Sequence, residues 1–476
     1  MKQFSKLDYG LIIGMILFLL FDILFSAYHY YHLNLDGDLP KLAVPILWYE
    51  DVLNDPFGFK AVTQHISYGG AGRYMCHQLS VLWCEYVFRA IHFFVKNPIV
   101  CVYLTTSCLA TCIHLGFIWL TKQYVEVTTK LNSLTVLLVC CLATVFVQYN
   151  KYYDAIGIID RSASYAIFYA LPLLLLAWFF LPFYKGYHTG EINFSIFQHA
   201  RHLLLALFLA FSSPLAQPII FLIVCWLIFF YLIQSKQSSL KNLFKNKTFL
   251  FHTSLLLILA VYAFYVSRFN SERNLSMSLG QRYFLMLKGL YYIFTLRSAF
   301  LYIGILAIIN IYFLFRNRLD VEYKKRLNIL IPLTCFVFSY LFLLPIGGYR
   351  SYRPYIIRYD TLLPVTFMIV FFLVSTSVFI FSTFKSSRLK SGYGLILMVF
   401  IGIFTLYDLN PEKSVNACQK QSLYFLHENK DSVLTIPRDC ALGTWSTQDF
   451  DDEQTQIMLT KLFRKWEIIQ PYQTLR

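Results

Sequence analysis

Two aspartates separated by one glycine, Asp36-Gly37-Asp38, are the first residues in the sequence whose spacing could support chemistry. Carboxylates this close together can hold a divalent cation, or one can act as a general base while the other orients it. The glycine allows a tight turn that would aim both side chains at one point. The alternative is structural, because the same turn could cap a helix that starts near Leu39-Pro40. Spacing alone leaves both interpretations open.

A second candidate group lies in segment 347–360, where three arginines within nine positions are interleaved with tyrosines: Arg350, Tyr352, Arg353 and Arg358. The planar guanidinium binds phosphate oxygens in pairs, so this segment could bind a phosphate or a pyrophosphate. The tyrosines could stack on a sugar ring or lie among lipid headgroups. The alternatives are an ion pair of Arg358 with Asp360 and contacts of the arginines with lipid phosphates.

Other polar residues are weaker candidates for a binding role. Asp154 and Arg161 lie in one loop, and Arg73 and His77 follow a glycine-rich stretch that lacks the Gly-Lys-Ser/Thr of a phosphate-binding loop. Most side chains of this kind contact solvent or headgroups. Asp22 lies inside an apolar segment, where an acid is either functional or hydrogen-bonded to a neighbouring helix.

The composition indicates that much of the chain is surrounded by lipid. Its 476 residues are 57% hydrophobic and only 14% charged, and the mean hydropathy is +0.54. A soluble domain of this length needs more charge, so we expect a lipid bilayer as the main partner. The net charge of +15 could suggest nucleic acid, but the basic residues lie in short loops between apolar segments. We therefore expect no nucleic-acid partner.

Eleven apolar segments approach the ~20 residues that a helix needs to cross a bilayer. They are 9–29, 98–120, 133–149, 165–183, 201–216, 218–234, 248–267, 299–315, 327–345, 361–384 and 393–408. The predicted fold class is therefore an all-α integral membrane protein with about eleven transmembrane helices. The segments 201–216 and 218–234 are short and form a tight hairpin around Ser212-Ser213-Pro214.

The distribution of lysine and arginine predicts the orientation. With the N-terminus in the cytoplasm, the cytoplasmic loops collect the basic clusters near residues 241, 324 and 388, as the positive-inside rule requires. Segment 76–95 is apolar on one helical face, and its other face carries His77, Glu85, Arg89 and His92. A crossing there would invert every later loop, so we predict an amphipathic helix in the membrane interface.

These assignments predict two domains. Residues 1–408 form the transmembrane domain, whose long first external loop, 30–97, contains juxtamembrane helices, one of them at Pro40–Leu53. Residues 409–476 form a small extracytoplasmic α/β domain, with a helix near Gln419–Asn429, a strand near Ser432–Ile436 and a helix near Glu453–Lys465. In this tail, Cys418 and Cys440 could form a disulfide or remain two free thiols.

In topology, and in the position of Asp36 and Asp38, the chain resembles the GT-C superfamily of membrane glycosyltransferases. Members of that family have a cytoplasmic N-terminus and a long first extracytoplasmic loop built of juxtamembrane helices. An acidic residue soon after their first span is the catalytic base. The resemblance covers the topology of most of the chain and the acidic pair. Many members have adjacent or near-adjacent acids, whereas a glycine separates them here, which leaves open which aspartate would be the base.

The resemblance implies transfer of a sugar from a polyprenyl-phosphate donor to a glycan, lipid or protein acceptor, on the outer face of the cell (inner) membrane. Asp36 or Asp38 would deprotonate the acceptor, and an arginine of 350–358 would bind the leaving phosphate. The resemblance implies no definite cofactor, and whether a divalent cation held by the two aspartates takes part stays open. The alternatives are a transporter or flippase of a lipid-linked or anionic solute and a glycan polymerase or ligase. Charge concentrated at one surface favours the enzyme.

Overall fold

The computed structural model describes residues 6–46, 49–148, 153–160, 162–233, 238–272, 277–296, 298–348, 355–408 and 413–476. Helices make up most of this part of the chain. The first twelve are α1 (Lys6–Tyr31), α2 (Leu39–Ala43), α3 (Glu50–Asn54), α4 (Phe59–Gln64), α5 (Tyr74–Leu82), α6 (Phe88–Phe94), α7 (Pro98–Thr128), α8 (Ser133–Thr144), α9 (Tyr153–Ile156), α10 (Ala163–Tyr165), α11 (Leu171–Thr189) and α12 (Ile196–Ala210). The others are α13 (Ala216–Ile233), α14 (Ser238–Lys245), α15 (Lys247–Val266), α16 (Leu279–Leu296), α17 (Ala299–Arg316), α18 (Val321–Asn328), α19 (Leu330–Leu343), α20 (Tyr359–Thr383), α21 (Ser387–Tyr407), α22 (Lys413–Glu428) and α23 (Glu453–Lys465).

Nine helices in the described residues are long and apolar enough to cross a membrane. They are α1, α7, α10 continued by a π-turn into α11, α13, α15, α17, α18 continued into α19, α20 and α21. Two shorter apolar helices, α8 and α12, occupy the remaining predicted segments. A helix therefore lies in each of the eleven segments predicted from hydropathy, and the architecture is that of an all-α membrane protein.

Local sequence signals determine where several of these helices begin. Asn97 caps α7 by accepting hydrogen bonds from the backbone N–H groups of Ile99 and Val100, with proline at the first helical position. A capping box of Ser195 and Gln198 starts α12. For this reason α12 begins five residues before the predicted segment 201–216, and it ends at Ala210, before the predicted hairpin.

The long juxtamembrane helix predicted at Pro40–Leu53 is wrong. The structure has two short helices there, α2 and α3, and Val44 between them has the extended values φ −132° and ψ 80°. Pro45 follows Val44, and a proline disfavours the helical conformation of the preceding residue. The chain therefore turns after α2, and α3 begins only at Glu50.

The loops lie at the two ends of the helical bundle. At one end, which we call the tail side, loop 32–97 contacts other connecting segments: the backbone N–H of Met75 donates to Phe211, and Tyr68 pairs with Asn270. At the other end, which we call the basic side, Arg326 donates to the carbonyl oxygen of Thr128.

Segment 76–95 forms α5, a π-turn at Trp83–Val87 and α6, and it is not among the nine long apolar helices of the described residues. Its polar face contacts the tail, since Glu85 forms an ion pair with Lys465 at 3.1 Å. Its other side exposes Tyr86, Phe93 and Phe94. A helix between a polar domain and an exposed apolar surface fits the interfacial position predicted from the sequence.

The C-terminal tail folds as α22, two short strands and α23. Strand β1 (Val433–Leu434) pairs in parallel with β2 (Thr474–Leu475), and α23 has the bounds predicted from the sequence. A disulfide joins Cys418 and Cys440. The tail core also includes residues from loop 32–97 and the start of α7, namely Leu35, Leu39, Phe88 and Ile99. The tail is therefore packed directly against the loop that carries Asp36 and Asp38.

Candidate functional site

Asp36 lies in the turn between α1 and α2 and is only 6% exposed. Its Oδ1 accepts hydrogen bonds from the backbone N–H groups of Asp38 at 3.0 Å and Leu39 at 3.1 Å, and from the hydroxyl of Ser164 at 3.1 Å. The backbone bonds satisfy donors at the start of α2, so the structural interpretation of the motif applies to Asp36. Burial, and secondly the charge of Asp38, raise the pKa of Asp36 to about 6.

Asp38 is half-buried and lies between the turn, the tail and α10. Its Oδ1 accepts a hydrogen bond from the indole N–H of Trp445 at 3.3 Å. Its charge also acts on the phenols of Tyr49 and Tyr165. Asp38 thus interacts with groups from three separate parts of the chain, and it is more exposed than Asp36.

Gly37 is required by a close approach of the tail. A Cβ at this position would lie 2.6 Å from the backbone nitrogen of Trp445 and 2.8 Å from the carbonyl carbon of Thr444. Atoms do not approach that closely, so any larger residue would push the tail loop away from the turn. The sequence suggested a glycine for a tight turn, whereas the structure shows that space for the tail is the constraint, because the φ of Gly37 is not positive.

Arg358 immediately precedes α20 and forms a two-pronged ion pair. Its Nε and Nη2 donate to Asp360 at 3.1 and 2.5 Å, and Asp360 is buried. The same Nη2 lies 3.4 Å from the hydroxyl of Tyr165, whose ring centroid is 5.6 Å from the guanidinium. The ion pair considered as an alternative role for Arg358 is therefore present, and much of its charge is balanced within the protein.

Asp160 and residues 162–165 lie between Arg358 and the two aspartates, and they contact both. Asp160 is 4% exposed. Burial, and secondly repulsion from Asp360, raise the pKa of Asp160 to about 7, whereas the positive charge of Arg358 lowers it. The hydroxyl of Ser164 donates to Asp36, and the hydroxyl of Ser162 lies 2.5 Å from that of Ser164. Tyr165 contacts Arg358 and lies within the field of Asp38. We call the five charged residues of this region the carboxylate cluster. They are Asp36, Asp38, Asp160, Arg358 and Asp360.

A second polar group borders the carboxylate cluster. Glu272 accepts a hydrogen bond from the hydroxyl of Tyr49 at 2.6 Å and pairs with Arg73 at 3.2 Å. The ring of Tyr49 lies 4.3 Å from that of His77. Burial, and secondly the charge of Arg73, lower the pKa of His77 to about 3, so this imidazole is neutral at physiological pH. The predicted residues Arg73 and His77 thus lie beside Tyr49. The phenol of Tyr49 in turn interacts electrostatically with Asp38.

Asp22, the acid inside α1, is hydrogen-bonded within the bundle. Its Oδ2 accepts from the hydroxyl of Thr144 at 2.6 Å and its Oδ1 from the side-chain amide of Gln148. Of the two roles considered for this acid, the hydrogen bond between neighbouring helices is the one observed.

Several predicted site residues lie outside the described residues: Arg161, Arg350, Tyr352, Arg353 and the side chain of Asp154. In the part of the chain that is described, no group of three or more His, Cys, Asp or Glu side chains is arranged to hold a metal ion.

The sequence did not point to Trp445, Tyr49, Glu272, Ser162 or Ser164. Each reaches the site through a contact between distant segments, such as the 407 residues that separate Trp445 from Asp38. One feature of the sequence could have pointed to Trp445. It is a large aromatic residue in a polar tail, and it stands just before Ser446 and Asp449, whose capping box fixes a turn.

The cluster offers a partly exposed carboxylate, a second carboxylate that hydrogen-bonds to its backbone, and a guanidinium within one region of the tail side. Such a set can accept a proton from a hydroxyl and stabilise a departing anion. Neither a scan against protein-family models nor a search of curated proteins finds a match to this chain.

Proposed function

We propose that the protein is a membrane glycosyltransferase that transfers a sugar from a polyprenyl-phosphate donor to an acceptor at the tail side. One observation carries the proposal: the neighbouring Asp36 and Asp38 and the sequence-distant Arg358 interact with two adjacent residues. Asp36 accepts a hydrogen bond from Ser164, and Tyr165 contacts Arg358 and lies within the field of Asp38. Transfer from a lipid phosphate needs a base for the acceptor and a cation for the leaving group. A residue of each type is present in this cluster.

Asp38 is the better placed of the two aspartates to act as the base. It is half-buried, whereas Asp36 is 6% exposed and uses Oδ1 for three hydrogen bonds. One of those bonds comes from the backbone N–H of Asp38, so Asp36 acts as a positioning residue that holds Asp38 in place.

The arginine segment would stabilise the leaving phosphate. The positive charge of Arg358 is balanced by Asp360. At least one more positive charge is therefore needed to attract a phosphate. Arg350 and Arg353 precede Arg358 in the same segment and would provide it. Arginine suits this role because its planar fork binds two phosphate oxygens at once.

The proposed reaction is a single displacement. Asp38 takes the proton of the acceptor hydroxyl while the acceptor oxygen forms a bond to the anomeric carbon. The bond from that carbon to the phosphate oxygen breaks, and its electron pair leaves with polyprenyl phosphate. Because attack and departure occur on opposite faces of the sugar, the anomeric configuration inverts. The base is then regenerated when it releases the proton to solvent.

The tail side would face away from the cytoplasm. The basic side carries the lysine and arginine clusters that the positive-inside rule places in the cytoplasm. The tail carries the Cys418–Cys440 disulfide, and such bonds persist in oxidising compartments. We therefore propose that the sugar is transferred on the extracytoplasmic face of the cell membrane.

The test is an assay of the purified protein in lipid vesicles with labelled polyprenyl-monophosphate sugars, in which release of polyprenyl phosphate is measured. We expect Asp38→Asn to lower turnover by ~10²–10⁴-fold, the usual contribution of a general base. Asp36→Asn should also reduce turnover, and the double variant should lose little more than Asp38→Asn because the two residues act together.

Asp51→Asn is the matched control, because Asp51 is an exposed acid in the same loop. It should keep wild-type turnover. Full activity in both single variants and in the double variant would refute the proposed base. Turnover of a pyrophosphate-linked glycan but not of a monophosphate sugar would instead identify a glycan polymerase or ligase.

A further inference from the structure

Trp445 lies at the edge of the carboxylate cluster and is unusually open for a tryptophan. Its residue surface is 57% exposed, although its backbone is packed against Gly37. Tryptophan offers a large aromatic surface that can stack on a ligand, and its indole N–H can donate a hydrogen bond. Among the described residues, no aromatic ring stacks on this indole, and more than half of the residue surface is open to a ligand.

The indole is held by its five-membered ring. Nε1 donates to Asp38, and Cδ1 lies 2.6 Å from the position that a Cβ of Gly37 would occupy. Both atoms belong to the five-membered ring, so the six-membered ring extends from the turn. The edge of the indole that carries Nε1 therefore adjoins the carboxylate of Asp38.

The loop that carries Trp445 is fixed from several directions. The carboxylate of Asp449 accepts hydrogen bonds from the backbone N–H groups of Trp445 at 3.1 Å and Ser446 at 3.0 Å. Upstream, Gln419 donates to the carbonyl oxygens of Leu35 and Ala441, which connects the tail to the turn before Asp36. An aromatic plate whose backbone is already ordered binds a ligand with little further loss of entropy.

We propose that Trp445 is the acceptor-binding platform and that the acceptor is a carbohydrate, an inference that rests on the proposed function. A pyranose ring has an apolar face of C–H groups and a rim of hydroxyls. Stacked on the indole, the ring would turn one hydroxyl toward the adjoining carboxylate of Asp38. The contact between Trp445 and Asp38 thus couples the surface that binds the sugar to the group that deprotonates it.

The test uses the full-length protein in lipid nanodiscs and a panel of gluco-, manno-, galacto- and N-acetylglucosamine oligosaccharides. Binding is measured by saturation-transfer NMR, and the acceptor KM is measured in the transfer assay. We expect Trp445→Ala to weaken glycan binding and raise the acceptor KM by about tenfold, the usual size of an aromatic stacking contact. The donor KM should not change.

Two further variants separate stacking from structural support. Trp445→Phe keeps an aromatic face and loses the hydrogen bond to Asp38, so it should retain glycan affinity within about threefold. Tyr472→Ala removes another exposed aromatic side chain of the tail and should leave binding unchanged. If Trp445 only held Asp38 in place, Trp445→Phe would lower turnover as much as Trp445→Ala does, and the platform would be refuted.

The outcomes for the platform and for the proposed function are distinct. A protein that binds glycans through Trp445 but transfers no sugar refutes the transferase and supports the glycan site. A protein that transfers sugar with the same acceptor KM after Trp445→Ala supports the transferase and overturns the platform. Failure of every oligosaccharide in the panel to bind the wild-type protein also overturns it.

Discussion

At the scale of single residues, two aspartates that look alike in the sequence have different environments. Asp36 is buried and its Oδ1 bonds to the N–H groups that begin α2, while Asp38 remains partly exposed beside Trp445. Their order along the chain does not reveal this difference, because it depends on hydroxyls from segment 160–165 and an indole from the tail. The structural and the functional interpretation of Asp36-Gly37-Asp38 can therefore both hold, each for one residue.

The pKa of Asp36 predicts how the reaction depends on pH. Asp36 must be ionised to hold the backbone N–H of Asp38 most strongly, and its pKa is raised to about 6. We expect kcat/KM to rise with pH up to about 6 and then to level off. Asp36→Asn should be less active and should lose this acid limb. If kcat/KM of Asp36→Asn fell in the same way at low pH, a group other than Asp36 would cause the acid limb.

Asp160 makes a separate prediction about stability. Its pKa is raised from 3.8 to about 7, so the stability it contributes is fully present below pH 3.8 and is lost as pH rises through about 7. Asp160→Asn mimics the neutral form and keeps an oxygen for the N–H of Ser162. The variant should therefore gain thermal stability over the wild type, by more at pH 8 than at pH 5.

Thermal unfolding in detergent at the two pH values measures this gain. Asp51→Asn, at an exposed acid, should show no such pH-dependent gain. A loss of stability in Asp160→Asn at pH 8 would mean that a positive charge compensates the ionised carboxylate of Asp160. The proposed destabilising repulsion between Asp160 and Asp360 would then be refuted.

At the scale of elements, the turn between α1 and α2 and the tail loop at 443–446 fit together only because Gly37 lacks a side chain. Gly37→Ala would place a methyl group 2.6 Å from atoms of Trp445, and overpacking of this kind costs ~1–3 kcal/mol. We expect the variant to show faster hydrogen exchange in the tail, with the spanning helices unaffected. Gly280→Ala, where nothing lies within 4 Å of the new methyl group, is the control.

A tail as protected in Gly37→Ala as in the wild type would show that the loop can shift without loss of packing. The same substitution should reduce transfer, because it separates Trp445 from Asp38. The control should retain wild-type transfer.

Much of the element order could be predicted from the sequence. Eleven apolar segments, the amphipathic segment 76–95 and the bounds of α23 follow from local periodicity and hydropathy, and the structure has helices at each. The break after α2 was missed, although Pro45 marks it. Contacts between distant segments could not be predicted, because neither periodicity nor composition encodes which helix meets which. For this reason Glu272, Ser164 and Trp445 were found only in the structure.

At the scale of the whole molecule, sugar transfer on the outer face requires one orientation of the protein in the membrane. The carboxylate cluster and the tail share one end of the bundle, and the lysine and arginine clusters lie toward the other. If the tail side faced the cytoplasm, a disulfide in the tail would be exposed to reducing conditions.

This orientation predicts the labelling of two introduced cysteines by a membrane-impermeant maleimide. In intact cells Gln454→Cys, at an exposed position of the tail, should react, and Arg388→Cys, at an exposed position of the basic side, should not. Both should react after lysis. The reverse pattern in intact cells would place the carboxylate cluster in the cytoplasm and would rule out transfer on the outer face.

A cryo-EM structure of the wild-type protein in a lipid nanodisc with polyprenyl phosphate, the proposed leaving group, would show whether Asp38 and the arginines act on one substrate. We predict that the phosphate lies at the tail side, next to the carboxylate cluster and within hydrogen-bond distance, ~3 Å, of at least one of Arg350, Arg353 and Arg358. A phosphate bound at the basic side, or at a surface separated from the carboxylate cluster, would contradict the proposal that Asp38 and these arginines act on one substrate.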